Sequence, residues 1–138
     1  MTEETLNNLT EQIIGAAIKV HSALGPGLLE STYRVCLAYE IGKLNLSVET
    51  EKPLPVVYET VRLDAGYRID LLVNGLVIVE LKSVEALLPI HHAQLLSYLK
   101  LSNLRVGLLL NFNTKRLVEG GIKRIVNNFP DSKISVNS

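Results

Sequence analysis

The stretch RIDLLVNGLVIVELKSV, residues 68–84, consists of two apolar runs separated by Asn-Gly. Asn-Gly between apolar runs is the strongest short-range signal for a β-hairpin, so the two runs are predicted to be antiparallel strands. An aspartate, Asp70, interrupts the first run, and Glu80 and Lys82 interrupt the second. Because Glu80 and Lys82 are two residues apart, their side chains are expected on one face of the second strand.

The length of the turn decides whether Asp70 joins that face. A two-residue loop would turn Asp70 away from Glu80. A three-residue loop at residues 73–75, with Gly75 in the left-handed conformation, would pair residue 70 with residue 78 and bring both carboxylates to one face. We predict the three-residue loop. Carboxylates gathered in this way need a compensating charge, and a divalent cation supplies one.

Length and composition limit the classes of protein to be considered. A chain of 138 residues predicts a single domain over residues 1–138. Its 47% hydrophobic residues and mean hydropathy of +0.23 favour a compact fold over disorder. No apolar run approaches the roughly 18 residues of a membrane span. Residues 1–12 lack the features of a signal peptide, so we expect a cytoplasmic protein without membrane partners. The single cysteine, Cys36, excludes an internal disulfide.

The charges balance over the whole chain, with 14 basic and 14 acidic residues. The overall field therefore gives no indication of a nucleic-acid partner. The halves differ: residues 1–69 carry 6 basic and 9 acidic residues, and residues 70–138 carry 8 and 5. Much of the basic excess comes from Lys115, Arg116, Lys123 and Arg124. This cluster is either a solvated face or a binding face.

The remaining segments predict an α/β domain built on a mixed sheet. An apolar stripe predicts a first helix, with Asn8 as its N-cap and Gly25 as its stop. The other elements follow in chain order: a helix within residues 28–46, an extended segment within 47–59, the hairpin, a helix within 88–103, a buried strand within 105–112 and a final strand within 121–127.

Five motifs, in the order GPGLLESTY, YRIDLLV, VIVELK, HHAQLLSYLK and GLLLNF, resemble the PD-(D/E)XK nuclease superfamily. The hairpin residues Asp70, Glu80 and Lys82, followed by QLLSY at residues 94–98, resemble the branch with a QxxxY motif, such as RecB-like and lambda-exonuclease-like nucleases. The segment GLLESTY, residues 27–33, resembles the bacterial GxxExxY protein family.

This resemblance extends over about residues 8–127 and implies the restriction-endonuclease-like fold, a mixed central sheet flanked by helices. One departure is Ile69, which stands where the superfamily name has proline.

The resemblance also implies a metal-dependent enzyme that hydrolyses phosphodiester bonds of nucleic acid, with DNA as the expected substrate. The implied cofactor is Mg²⁺ or Mn²⁺, held by Asp70, Glu80, the Leu81 carbonyl and, as a third carboxylate, Glu30. Lys82 would position the attacking water or stabilise the developing charge. Glu30 has a purely structural alternative, because any glutamate in the first turn of a helix is favoured by the helix dipole.

Gln94 and Tyr98 are four residues apart and share one helical face, with His91 one turn earlier. The resemblance places this face beside the metal, where Gln94 would contact Lys82 or water and Tyr98 a phosphate. The alternative for Tyr98 is a core residue with its hydroxyl at the rim. His91 is assigned to substrate binding.

For two further residues, Arg68 and His21, the sequence allows two interpretations each. Arg68 either meets a phosphate of the substrate or neutralises the carboxylates. His21 is either a metal ligand or, as we favour, a core histidine with a hydrogen-bond partner.

The rival function is a catalytically silent nuclease-like domain that binds nucleic acid or a protein. Neutral charge and small size favour this rival, or else a homodimer or protein partner that supplies substrate binding. The sequence does not distinguish DNA from RNA, single from double strands, or exonuclease from endonuclease action.

Overall fold

The computed structural model describes residues 2–128, so both ends of the predicted 1–138 domain lie outside it. The described residues form three helices and seven strands. In chain order they are α1 (Glu3–Leu24), α2 (Glu30–Gly42), β1 (Val48–Pro53), β2 (Val56–Tyr58), β3 (Val61–Leu63), β4 (Arg68–Val73), β5 (Val77–Lys82), α3 (Pro89–Ser102), β6 (Val106–Asn111) and β7 (Ile122–Val126).

Five of the strands form one mixed sheet in the order β1-β4-β5-β6-β7. Strands β5 and β6 are parallel and are connected by α3, whereas the other neighbours are antiparallel. Both parallel strands are buried almost throughout, which fits their apolar sequences outside Glu80 and Lys82 of β5 and Asn111 of β6. The predicted α/β class with a mixed central sheet flanked by helices is confirmed.

The helices cover opposite faces of this sheet. Helices α1 and α2 pack against one face through a core that includes Ile13 and Leu37. Helix α3 packs against the other face, where Leu95 and Leu99 meet Ile78 of β5. Glu80 and Lys82 have the same parity as Ile78 and therefore belong to the face that α3 covers.

The β4–β5 hairpin closes through the three residues Asn74, Gly75 and Leu76. Asn74 and Gly75 have φ angles of 53° and 66°, in the left-handed region. A three-residue loop with a left-handed Gly75 is thus confirmed, but it lies one residue later than predicted. The predicted pairing of residue 70 with residue 78 is wrong, because Leu71 pairs with Val79 and residue 70 therefore lies opposite residue 80.

Contacts of Asn74 with β1 explain the position of the loop. Its side-chain Oδ1 accepts a hydrogen bond from Ser47 N at 2.9 Å, and its backbone N donates to Ser47 O at 3.0 Å. Asparagine tolerates positive φ better than most residues, so this attachment keeps Asn74 within the turn. Both registers have the same parity, and the shared face of Asp70 and Glu80 is preserved.

Helix α1 begins well before the predicted start, so the assignment of Asn8 as its N-cap is wrong. Thr2 is the N-cap, and its side chain accepts a hydrogen bond from Thr5 N at 3.0 Å. The buried residues Leu6 and Leu9 extend the apolar stripe into this additional turn. The end of α1 at Gly25, with φ of 70°, is as predicted.

The segment 47–59, predicted to be one extended stretch, contains both β1 and β2, and β2 pairs with β3 in a separate hairpin. Pro53 ends β1, and Pro55 separates it from β2. The turn between β2 and β3 is Glu59-Thr60, with Glu59 at a φ of 53°. No helix among residues 2–128 is long and apolar enough to cross a bilayer.

Candidate active site

Two carboxylates brace the hairpin where its regular pairing stops. Beyond the pair Leu71–Val79, Glu80 Oε2 accepts a hydrogen bond from the backbone N of Asp70 at 2.8 Å. In return, Asp70 Oδ2 accepts one from the backbone N of Leu81 at 2.9 Å. Each side chain thereby satisfies a backbone donor of the opposite strand. This reciprocal arrangement, which we call the carboxylate brace, fixes the positions of both groups.

Burial makes the ionised forms of these carboxylates costly. Burial, together with the negative charge of Asp70, raises the pKa of Glu80 to about 8. Burial also raises the pKa of Asp70, while the Leu81 N–H and the positive charges of Arg34 and Lys82 oppose the increase. Two buried carboxylates that repel each other favour either a proton or a cation between them.

The donor set suits a divalent cation of the Mg²⁺ type. Carboxylate and carbonyl oxygens are hard ligands, and the carboxylates of Asp70 and Glu80 lie next to each other beside the backbone of Leu81. Within residues 2–128 no group of three or more His, Cys, Asp and Glu side chains is arranged to hold a metal. Mg²⁺ is usually bound by one or two carboxylates together with water and substrate phosphate, so two carboxylates suffice.

Lys82 lies beside this pair and is held by α3. Its Nζ donates a hydrogen bond to Gln94 Oε1 at 3.2 Å. Lys82 also acts on both carboxylates, since its positive charge lowers the pKa of Asp70 and of Glu80. The structure therefore brings together Asp70, Glu80, Lys82 and Gln94, four of the five polar residues that the hairpin and QxxxY patterns singled out.

Tyr98 follows Gln94 by one turn of α3 and faces the same region. Burial raises the pKa of its hydroxyl, and the negative charges of Glu80 and Asp70 add to the effect. The ring is buried in the core on the α3 side of the sheet. Tyr98 thus has its ring in the core, as one interpretation expected, and its hydroxyl near the carboxylates.

Glu30, the first residue of α2, is attached to the end of β5. Its Oε2 accepts a hydrogen bond from Ser83 N at 3.1 Å, directly after Lys82. Its negative charge raises the pKa of both Asp70 and Glu80. This contact goes beyond a helix-dipole role and brings a third carboxylate near the brace.

Comparison with known families agrees with this geometry. A profile of the PD-(D/E)XK nuclease superfamily matches residues 7–125. The chain belongs to this superfamily. The mixed five-stranded sheet with flanking helices is consistent with the PD-(D/E)XK fold, and PD-(D/E)XK nucleases generally use divalent metals. No curated protein and no solved structure matches the chain significantly.

The other predicted residues of this PD-(D/E)XK domain have contacts of their own. Arg68 is exposed, and its Nη1 lies 3.8 Å from Glu51 Oε1. His91 accepts a hydrogen bond from Leu88 N through Nδ1 at 2.9 Å and so caps α3, which leaves Nε2 available. His21 is only 6% exposed, and its Nε2 lies 2.8 Å from Thr114 O.

Arg34 is a residue of the PD-(D/E)XK site that the sequence interpretation missed. Its charge lowers the pKa of Asp70, and its Nη2 lies 3.4 Å from Glu51 Oε2. It follows Glu30 by four residues on α2, a spacing that places both on one helical face. The four-residue spacing from Glu30 was the feature of the sequence that could have identified Arg34 as a site residue.

The GxxExxY segment forms one structural unit next to the PD-(D/E)XK residues. The Tyr33 hydroxyl donates to Gly25 O and accepts from Leu28 N, and its ring stacks on Phe112 at 4.5 Å between centroids. Gly27 adopts a φ of 99°, which other residues rarely do. The loop before α2 is thereby fixed, and with it the position of Glu30.

Tyr33→Phe is expected to reduce the free energy of unfolding by about 1–3 kcal/mol, because it leaves two loop backbone groups near a fully buried ring without their partner. Urea denaturation followed by circular dichroism measures the change. The matched control is Tyr39→Phe, at a tyrosine that is 66% exposed, which should be close to neutral. Equal stability of Tyr33→Phe and the wild type would contradict the assigned hydrogen bonds.

Proposed function

We propose that the chain is a Mg²⁺- or Mn²⁺-dependent nuclease that hydrolyses phosphodiester bonds of nucleic acid, with DNA as the expected substrate. The observation that carries this proposal is the carboxylate brace between Asp70 and Glu80, with the Lys82 ammonium beside it. Membership of the PD-(D/E)XK superfamily supports it. A domain that only binds has no need of a braced pair of carboxylates with raised pKa values.

The proposed roles follow from the contacts. Asp70 and Glu80 hold the ion together with the Leu81 carbonyl, and Glu30 contributes a third carboxylate at their edge. When bound, the ion polarises the scissile phosphate and lowers the pKa of a water molecule. Lys82 positions the attacking water or stabilises the charge that develops on the phosphate.

Other residues orient these groups and the substrate. Gln94 accepts a hydrogen bond from Lys82 and so sets the direction of its ammonium group. The Tyr98 hydroxyl donates to a phosphate oxygen. Arg68 and the free Nε2 of His91 contact the substrate beyond the site. We assign Arg34 to charge balance at Asp70.

We further infer that the chain belongs to the GxxExxY family within the QxxxY-containing, RecB-like branch. The support is the unit formed by Gly27, Glu30 and Tyr33, together with Gln94 and Tyr98 on one face of α3. A cytoplasmic location would suit such an enzyme. A homodimer or a protein partner would supply the wider substrate contact that a neutral chain lacks.

A cleavage assay tests this function. Purified protein is incubated with linear and circular DNA and with RNA, single- and double-stranded, in Mg²⁺, Mn²⁺ or EDTA. We expect metal-dependent cleavage by the wild type and a loss of about 10³-fold or more in Asp70→Asn, which keeps the shape of the side chain but removes its charge. Circular substrates separate internal from terminal cleavage.

The net charge of zero favours a second candidate, a silent domain that binds without cutting. If the wild-type protein binds these substrates but cuts none of them in either metal, the silent binding domain is the correct function and the nuclease is not. If Asp70→Asn cleaves at the wild-type rate, the activity comes from a contaminant or from another site.

A further inference from the structure

A cavity of about 390 Å³ adjoins the proposed active site on the α3 side of the sheet. Its walls come from the β2–β3 hairpin, the following loop and α3. They are formed by Val56, Leu63, Tyr67, Gln94, Ser97, Tyr98 and Leu101. Gln94 holds Lys82 and Tyr98 faces the carboxylates, so both belong to the site as well as to the cavity. A group in the cavity would be the immediate neighbour of a phosphate at the brace.

The chemistry of the walls favours a neutral occupant over a charged one. The residues that line the cavity are aliphatic, aromatic or neutral polar, and none of these wall residues is charged. Gln94 uses Oε1 for Lys82 and keeps its amide N–H groups for another partner. Ser97 adds a hydroxyl. The walls therefore suit a neutral, flat group with a few hydrogen-bonding atoms at its edge.

Two tyrosines make the cavity suitable for an aromatic ring. The rings of Tyr67 and Tyr98 have centroids 6.3 Å apart and an angle of 71° between their planes. A flat ring stacked on one of them would be nearly perpendicular to the other and could turn its edge towards that ring's face, and both contacts are favourable. Tyr67 remains 46% exposed, so its ring is accessible. Since a cavity of about 150 Å³ already accommodates benzene, this one has room for a purine.

We propose that this cavity binds an unpaired nucleobase next to the scissile phosphate, so that the substrate is a single strand or a duplex with a freed base. The proposal rests on the proposed nuclease function, because the brace defines where the phosphate lies. A base within a duplex has first to be unpaired and unstacked before it can enter. Stacking on aromatic side chains also supplies affinity that a neutral chain does not obtain from phosphate contacts alone.

Binding measurements without turnover test the proposal. Fluorescence anisotropy is recorded for Lys82→Ala in Mg²⁺ with a short single strand of DNA, its duplex, and an abasic strand of the same length. The abasic strand keeps every phosphate and lacks only the bases. We expect the ordinary single strand to bind about tenfold or more tightly than the abasic strand and the duplex.

A second substitution added to Lys82→Ala tests whether the cavity causes the difference in affinity between the ordinary and abasic strands. Tyr67→Ala should abolish the preference for the ordinary strand, and so should Ser97→Phe, which fills the cavity from an exposed position of α3. The matched control is Tyr39→Ala on α2, which should keep the preference. A preference that survives both Tyr67→Ala and Ser97→Phe in folded protein would overturn the proposal.

The outcomes separate this inference from the nuclease function. Equal affinity for ordinary and abasic strands would overturn the base subsite and leave the nuclease intact. A failure to bind any oligonucleotide would count against both. A dimer in analytical ultracentrifugation that Ser97→Phe disrupts would assign the cavity to a second copy of the chain, and would likewise overturn the subsite.

Discussion

Lys82→Ala is expected to lower the rate of phosphodiester hydrolysis by about 10²- to 10⁴-fold, the range for loss of a group that acts on the attacking water or on transition-state charge. The Lys82 ammonium lies beside the carboxylate brace and is directed by Gln94 at 3.2 Å. Because Lys82 is not assigned as a metal ligand, divalent-ion binding should persist. Single-turnover cleavage and Mn²⁺ titration measure the two properties separately.

Two companion variants sharpen this prediction. Gln94→Ala should reduce the rate by only about tenfold, because the ammonium that it orients is still present. Lys100→Ala removes an exposed lysine of α3 and should cleave at the wild-type rate. Undiminished cleavage by Lys82→Ala would show that the mechanism is wrong even where the class of enzyme is right.

Glu80→Gln is expected to remove both the loss of stability at high pH and the stabilisation by metal. In the folded, metal-free protein the pKa of Glu80 is about 8, against an ordinary value of 4.5. Folding therefore favours the protonated form. The stability that this group contributes is complete below about pH 4.5 and is lost as the pH rises towards 8. Each unit of pKa corresponds to about 1.4 kcal/mol, so the decline amounts to several kcal/mol at most.

Glutamine cannot ionise, yet its Oε1 can accept the same hydrogen bond from Asp70 N. Metal-free Glu80→Gln should therefore melt at a higher temperature than the wild type at pH 8 and at a similar temperature at pH 5. Mn²⁺ at pH 8 should stabilise the wild type but neither Glu80→Gln nor Asp70→Asn.

Differential scanning fluorimetry with and without EDTA measures these shifts. Glu85→Gln changes an exposed glutamate on the same segment and should follow the wild type. Equal Mn²⁺ stabilisation of the wild type and Glu80→Gln would place the ion elsewhere.

The site was predictable where it depends on local rules. Alternation along β5 and the loop length at Gly75 were enough to place Asp70, Glu80 and Lys82 on one face. The exact register of the hairpin could not be predicted, because it depends on the hydrogen bonds between Asn74 and Ser47, which are 27 residues apart. Only the folded chain brings those two residues together.

Long-range contacts also explain what the sequence did not reveal. The hydrogen bond that Ser83 N donates to the Glu30 carboxylate joins residues that are 53 positions apart in the chain. Glu59-Thr60 carries none of the usual hairpin turn residues, so the β2–β3 hairpin was not predicted. Because that hairpin forms one wall of the cavity beside α3, the cavity could not be anticipated either.

The carboxylate brace also bears on which ion the pair prefers. Glu80 Oε2 and Asp70 Oδ2 are occupied by backbone donors, which leaves one oxygen of each carboxylate uncommitted. Ca²⁺ takes six to eight oxygen ligands and often uses both oxygens of a carboxylate, whereas Mg²⁺ needs few protein ligands and keeps its own waters. At the proposed site, carboxylates that bind through one oxygen each, beside the Leu81 carbonyl, would therefore suit the smaller ion. The same hydrogen bonds that hold the strands together would thus disfavour Ca²⁺ at the proposed site, because they compete with binding through both oxygens of either carboxylate.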